Sequence, residues 1–168
     1  MSDQGFTQPA PIVPALRRLY EPLAPYGYAF IRICTGLYLI RHGYPKLFEG
    51  GAAGLAGAPL LGNLGFTPPI VWAWIVTIVE VFGGLCLVVG FMTRLAAALL
   101  VVEFSVIVFA IKWANGFVAF APKAIQPGFA GMIPGGFELE LLLGLICVAI
   151  LFRGGERLSL DGRFGREL

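Results

Sequence analysis

Charge is what this chain has least of. Only 13% of its 168 residues are Asp, Glu, Lys or Arg, against about 25% in a soluble domain. Hydrophobic residues make up 58% and the mean hydropathy is +0.83, which excludes an ordinary water-soluble fold. The net charge of +2 is small and the basic residues are dispersed, so a nucleic-acid partner is excluded as well. Cysteine is equally sparse. Cys34, Cys86 and Cys147 each stand alone in a separate apolar segment with no C-x-x-C, which leaves no usual thiol–disulfide relay and favours packing roles. The single histidine, His42, has no partner at metal-ligand spacing, so no metal site is expected. No glycine-rich turn follows a strand into a helix, which argues against nucleotide binding. The first 28 residues lack a basic region leading directly into an apolar one with a small-residue cleavage site. They do not read as a signal peptide, and the first apolar helix is expected to remain as the first span.

What is present is a set of apolar runs near the ~20 residues a bilayer requires. The predicted fold is all-α: an integral membrane four-helix bundle with spans at about residues 25–44, 69–90, 94–113 and 137–152. Residues 1–14 read as a disordered tail, 15–152 as the membrane domain, and 153–168 as a basic cytoplasmic tail. The first span holds Arg32, Arg41 and His42, too polar to face lipid on all sides. Residues 45–69 and 114–136 are broken by Gly and Pro yet remain apolar, and are expected to lie as loops on the membrane surface. Trp72 and Trp74 suit an interfacial position. The short turn Gly90–Arg94 makes spans two and three antiparallel neighbours.

Four spans put both termini on one side. Arg17, Arg18, Arg94, Arg153, Arg157, Arg163 and Arg166 lie on that side; Arg41, Lys46, Lys112 and Lys123 lie towards the other. The positive-inside bias therefore places both termini in the cytoplasm, with the chain in the cell (inner) membrane.

Four ionisable residues fall deep inside these runs, one per span. At ~1.5 Å of rise per residue, Arg32, Glu80, Glu103 and Glu140 lie roughly 11, 15, 14 and 18 Å from the ends on the terminal side. The expectation is one buried polar cluster of these four. Fully ionised it would carry two uncompensated negative charges, so a proton held on at least one Glu or a bound cation is expected. Arg41, His42, Lys46 and Glu138 are expected to form an outer mouth. Any one such group can simply hold helices together, at ~1 kcal/mol per contact. Four converging at one depth favour a pocket that binds a small apolar ligand or handles protons. A faint repeat, charge-x3-Gly-Leu at Arg32, Glu80 and Glu140, sets a glycine one turn beyond each charge, where a neighbouring helix could come close.

Several blocks carry a family likeness: Gly43–Tyr44–Pro45–Lys46–Leu47; Glu80-x2-Gly83–Gly84–Leu85-x-Leu87–Val88-x-Gly90–Phe91-x-Thr93–Arg94; Gly136-x-Glu138; and Leu158–Ser159–Leu160–Asp161. Together, over about Arg32 to Asp161, they resemble the DoxX family of small four-span membrane proteins. The resemblance implies a four-helix membrane bundle with Glu80, Arg94, Lys46 and Glu138 at family positions. It also implies a link to the family's namesake, a membrane subunit of a thiosulfate:quinone oxidoreductase, and to redox-stress membrane complexes. The longer Gly- and Pro-rich loops depart from the family pattern.

The function expected on these grounds is that of a subunit of a quinone-linked membrane oxidoreductase or redox-stress complex, rather than a stand-alone catalyst. A quinone is the cofactor the reading allows, and no covalent cofactor is expected. With no flavin, haem or iron–sulfur motif in the chain, electrons must come from a partner or from the ligand itself. The partners expected are the lipid bilayer, an oxidoreductase subunit and further copies of the chain. The alternative is a non-enzymatic assembly partner or a small transporter.

Overall fold

Leu, Ile, Val and Ala dominate the chain and few polar groups interrupt them, so backbone hydrogen bonds close locally and helices result. The computed structural model describes residues 18, 21–57, 59–118, 135–156 and 158–165, and among these there are helices and no strands. The tail at 1–14, residues 119–134 of the second broken stretch, and Arg17, Lys123, Arg157 and Arg166 lie outside the described residues.

Helix α1 spans Ala24–Phe48, α2 Gly51–Gly57 and α3 Pro59–Asn63. Helix α4 runs Pro69–Val89 and α5 Thr93–Asn115, both long and apolar enough to cross a membrane. Helix α6 spans Glu138–Arg153 and α7 Leu160–Phe164. Two expectations need correction. The first helix does not stop before Pro45: that ring removes one donor, but the Pro45 carbonyl still accepts from Glu49 N at 3.0 Å, so the turn completes. The stretch at 45–69 is not a plain loop but carries α2 and α3, whose Ala and Leu residues sustain short helices between the glycines.

The long helices alternate in direction. The end of the bundle holding the α4–α5 connection is called the turn end, and the opposite end the loop end. At the turn end α4 stops at Gly90, which takes a left-handed conformation (φ 71°) that glycine adopts without a Cβ penalty. The main hydrophobic core lies in this half, built on Leu39, Leu87, Ala97, Leu100, Phe104, Cys147 and Ile150. Helix α1 packs on α4, and α5 on α6. At the first of these contacts a Cβ on Gly36 would lie 2.5 Å from the Gly84 carbonyl oxygen, and one on Gly84 2.8 Å from that of Gly36. The glycine one turn past each charge is thus where two backbones meet. Gly84→Val is expected to cost about 2 kcal/mol, because backbone rather than a flexible side chain must give way; a thermal unfolding midpoint in mild detergent measures it.

Within the stretch read as a basic tail, residues 158–165 fold back over the turn end. Ser159 Oγ accepts from Gly162 N to start α7. Asp161 is 4% exposed and accepts from Met92 N and Thr93 N, both at 2.9 Å, and from Thr93 Oγ1 at 2.7 Å. It supplies the N-terminal cap that α5 lacks in its own sequence, since Met92 in the capping position has no side-chain oxygen to offer.

Candidate functional site

Above the core, in the loop-end half, the four long helices enclose a cavity of ≈ 480 Å³. Its walls are mainly apolar, with Val76, Val79, Phe104 and Leu143 among them, and Leu55, Leu61, Phe66 and Trp72 bring α2, α3 and the start of α4 over it. Phe66 and Trp72 pack with ring centroids 5.0 Å apart.

Two ion pairs enter this apolar space. Lys46 Nζ donates to both oxygens of Glu80, at 2.6 and 2.7 Å. Gly43, one turn before Lys46, explains the approach: its missing Cβ would fall 3.2 Å from Glu80 Cβ, so α1 can lie directly against the acid's own turn. Across the cavity Lys112 Nζ donates to Glu140 Oε1 at 2.6 Å. The second oxygen of Glu140 is buried without a hydrogen bond, and so are both oxygens of Glu103. Glu103 faces the charges of Glu80 and Lys46, and its carboxyl lies close enough to that of Glu80 for the two to share a hydrogen bond when one of them holds a proton. Against three carboxylates stand two lysines, which leaves one negative charge when all five groups are ionised and His42 is neutral. His42 lines the same cavity and its ring packs on Tyr38 at 4.6 Å between centroids.

Both ion pairs sit on helical irregularities. Glu80 lies in a π-helical turn, Val79–Gly83, and Lys112 ends another, Ile107–Lys112. Each such turn inserts one residue, which rotates everything beyond it by ~100° around the helix. The register change falls at the same level as the two ion pairs.

The structure divides the residues singled out from sequence. Glu80, Glu103 and Glu140 all line the cavity, and Lys46 and His42 join them. Arg32 does not. It is fully buried at the turn end, where Nη2 donates to the Leu158 carbonyl at 2.5 Å and Nη1 lies against Gly90, ten residues along α4 from Glu80. Arg41 is exposed, and so is Glu138 in the first turn of α6; neither lines the cavity.

A single rule explains this sorting. A helical side chain leans towards the N-terminus of its helix. Arg32 on α1 therefore leans to the turn end, away from the three acids. Lys46 and Lys112, near the loop-end termini of α1 and α5, lean back into the bundle, while Glu80 and Glu140 on the opposed helices lean up to meet them. Lys112 is a site residue that a depth counted to the Cα misses. Applying the lean to each charge in the sequence finds it.

The DoxX family model matches residues 27–113, which is α1 through the last π turn of α5. The chain belongs to the DoxX family. A relative from Haemophilus influenzae, itself an uncharacterized protein, is 30% identical over 152 residues, covering 88% of this chain and 97% of that one. No solved structure matches the chain. In this DoxX protein the Glu–Gly–Gly–Leu block serves two places at once. Glu80 goes to the cavity, while Gly84 closes the α1–α4 contact and Gly90 and Thr93 meet Arg32 and Asp161 at the turn end. DoxX is a membrane-associated family, in keeping with two apolar helices of spanning length and with large apolar side chains exposed along the bundle, such as Phe30, Phe82, Phe109 and Phe152.

Proposed function

We propose that this DoxX protein is a four-span inner-membrane bundle with both termini in the cytoplasm, whose cavity holds a small apolar ligand and exchanges protons with it. The observation that carries the reading is the buried Glu103 carboxyl, which no donor meets and which lies against the carboxyl of Glu80, inside an apolar cavity already furnished with two Lys–Glu pairs. Folding alone gains nothing from such a group, since a buried carboxyl lacking a partner opposes stability. Sites of this composition, mostly apolar with a few converging polar groups, suit ligands.

The ligand class proposed is a quinone, and the chain's role that of a subunit in a quinone-linked oxidoreductase. A quinone takes up two electrons and two protons on reduction. In this reading Glu103 supplies one proton and bulk water the second, Lys46 and His42 donate hydrogen bonds to a carbonyl oxygen, and the electrons come from a partner protein. The one negative charge left among the five groups is balanced when Glu103 carries its proton.

Two measurements test this. Organic extraction of the gently solubilised protein is expected to yield close to one quinone per chain. Glu103→Gln is expected to remove ligand-linked proton uptake while leaving the unfolding midpoint unchanged or raised, the signature of a group kept for function at the expense of stability. No quinone in repeated preparations, or a Gln variant that loses stability and keeps its proton uptake, would refute the reading.

A further inference from the structure

The bundle is tightly joined at the turn end and divided at the loop end. There, α4 leans on α1 and α2, whereas the second half of α5 leans on α6. The first half of α4, Pro69–Ile78, makes almost no contact with α5, although the two helices are antiparallel neighbours in sequence. Between them lies a seam. Ile75 on α4 and, approaching the gap from the turn end, Leu99 and Val102 on α5 line the cavity and are also 43%, 47% and 63% exposed. A residue that does both sits at an opening, and such residues gather on these two helices: Trp72, Ile75, Leu99 and Val102, against His42 on α1 and Leu139 on α6. The seam holds no charged side chain of its own until the Glu103 carboxyl, which lies inside.

In a bilayer this opening faces hydrocarbon, not water. We infer that the cavity takes its occupant from the bilayer through the α4–α5 seam, and that the occupant is an amphiphile whose apolar chain lies along Ile75, Leu99 and Val102 with a hydrogen-bonding head at Glu103. The inference rests on the cavity being a ligand site and deepens that reading by naming the route and the shape of the ligand. A flat, water-borne solute would need a polar mouth, and this seam is apolar. A chain longer than the cavity has somewhere to go, because the seam runs out to the surface at the depth where lipid tails lie. The splay itself has a structural cause. The π turn at Val79–Gly83 re-phases α4 between its two halves, so the stripe that meets α5 near the turn does not continue past Glu80.

The test works whatever the identity of the ligand. In full-length protein with Cys34, Cys86 and Cys147 changed to Ala, Glu103→Cys places a reactive thiol at the head position, and Val106→Cys on the same lining serves as a second reporter. In proteoliposomes, apolar N-phenylmaleimide is expected to label either thiol, while a membrane-impermeant sulfonated thiosulfonate added from water labels neither. Adding Val102→Trp to plug the seam is expected to slow the apolar labelling about ten-fold, the rate equivalent of ~1.4 kcal/mol. Leu139→Trp, at the lining contributed by α6, is expected to leave it unchanged. Equal labelling by the charged reagent, or slowing by Leu139→Trp instead of Val102→Trp, would overturn the route. Extraction that finds no quinone while the labelling pattern holds removes the ligand identity proposed above and leaves the seam standing; quinone present with the seam insensitive to Val102→Trp does the reverse.

Discussion

Asp161→Ala is expected to destabilise the protein by about 4 kcal/mol, the largest effect of any single change outside the cavity. Asp161 accepts three hydrogen bonds from the start of α5, two from backbone N–H groups that have no helical partner of their own. Loss of an N-cap alone costs ~1 kcal/mol. The larger part comes from leaving three donors to a buried charged acceptor unpaired, and a further part from Arg32, which is fully buried and whose guanidinium has Nε and Nη1 without hydrogen bonds. The acidic groups whose charge reaches it are Asp161 and Glu156, and of these only Asp161 is buried. Without that carboxylate the buried cation also loses a counter-charge that acts on it through space; the two form no ion pair, so the three unpaired donors, at about 1 kcal/mol or more each, carry most of the loss. Asp161→Asn, which keeps one acceptor, is expected to lose about half as much. The double change Asp161→Ala with Arg32→Met is expected to recover part of the loss, because both buried charges go together. Unfolding midpoints in mild detergent decide it: an Ala variant within about 1 kcal/mol of the parent would show that the cap does not stabilise the turn end.

Lys46→Met is expected to cost about 2 kcal/mol through the acid it abandons. The Glu80 side chain is 9% exposed and held by two bonds from Lys46 at 2.6 and 2.7 Å. Lys46 itself is 27% exposed on its side chain, so part of the pair's energy is screened and the full buried-pair figure does not apply. Glu80→Gln in the Lys46→Met background is expected to restore most of the stability, giving a coupling of about 2 kcal/mol in a double-mutant cycle. Additive losses with no coupling would show that the pair does not hold α1 to α4. The contrast with Glu103→Gln is informative. One acid is held by a lysine and is missed when that lysine goes; the other meets no donor and is expected to be removed without structural loss.

Much of the site is legible in the chain without its fold. Glu80, Glu103 and Glu140 each interrupt a different apolar run, and counting from the helix ends puts them at one level. All three line one cavity. Arg32 has nearly the same count and goes elsewhere, because a Cα depth carries no information on where a long side chain ends. The same omission hides Lys112 and leaves Lys46 at the mouth instead of on Glu80. Neither π turn is revealed by the period of the apolar residues, since Val79–Gly83 and Ile107–Lys112 differ from the turns beside them only by the charges of Glu80 and Lys112.

What the sequence alone determined is the class of structure: low charge and long apolar runs admit helices and little else, because an apolar surrounding leaves the backbone no partner but itself. It also determined the depth of each charge, since rise per residue is constant. Which charges meet was decided only in three dimensions. That outcome depends on the direction in which each helix runs, on the ~100° step that a π turn adds, and on a C-terminal segment that returns across the whole chain to cap α5 and enclose Arg32. Depth is a local quantity and can be counted; direction and azimuth depend on the neighbouring helix, and so exist only once the helices have packed.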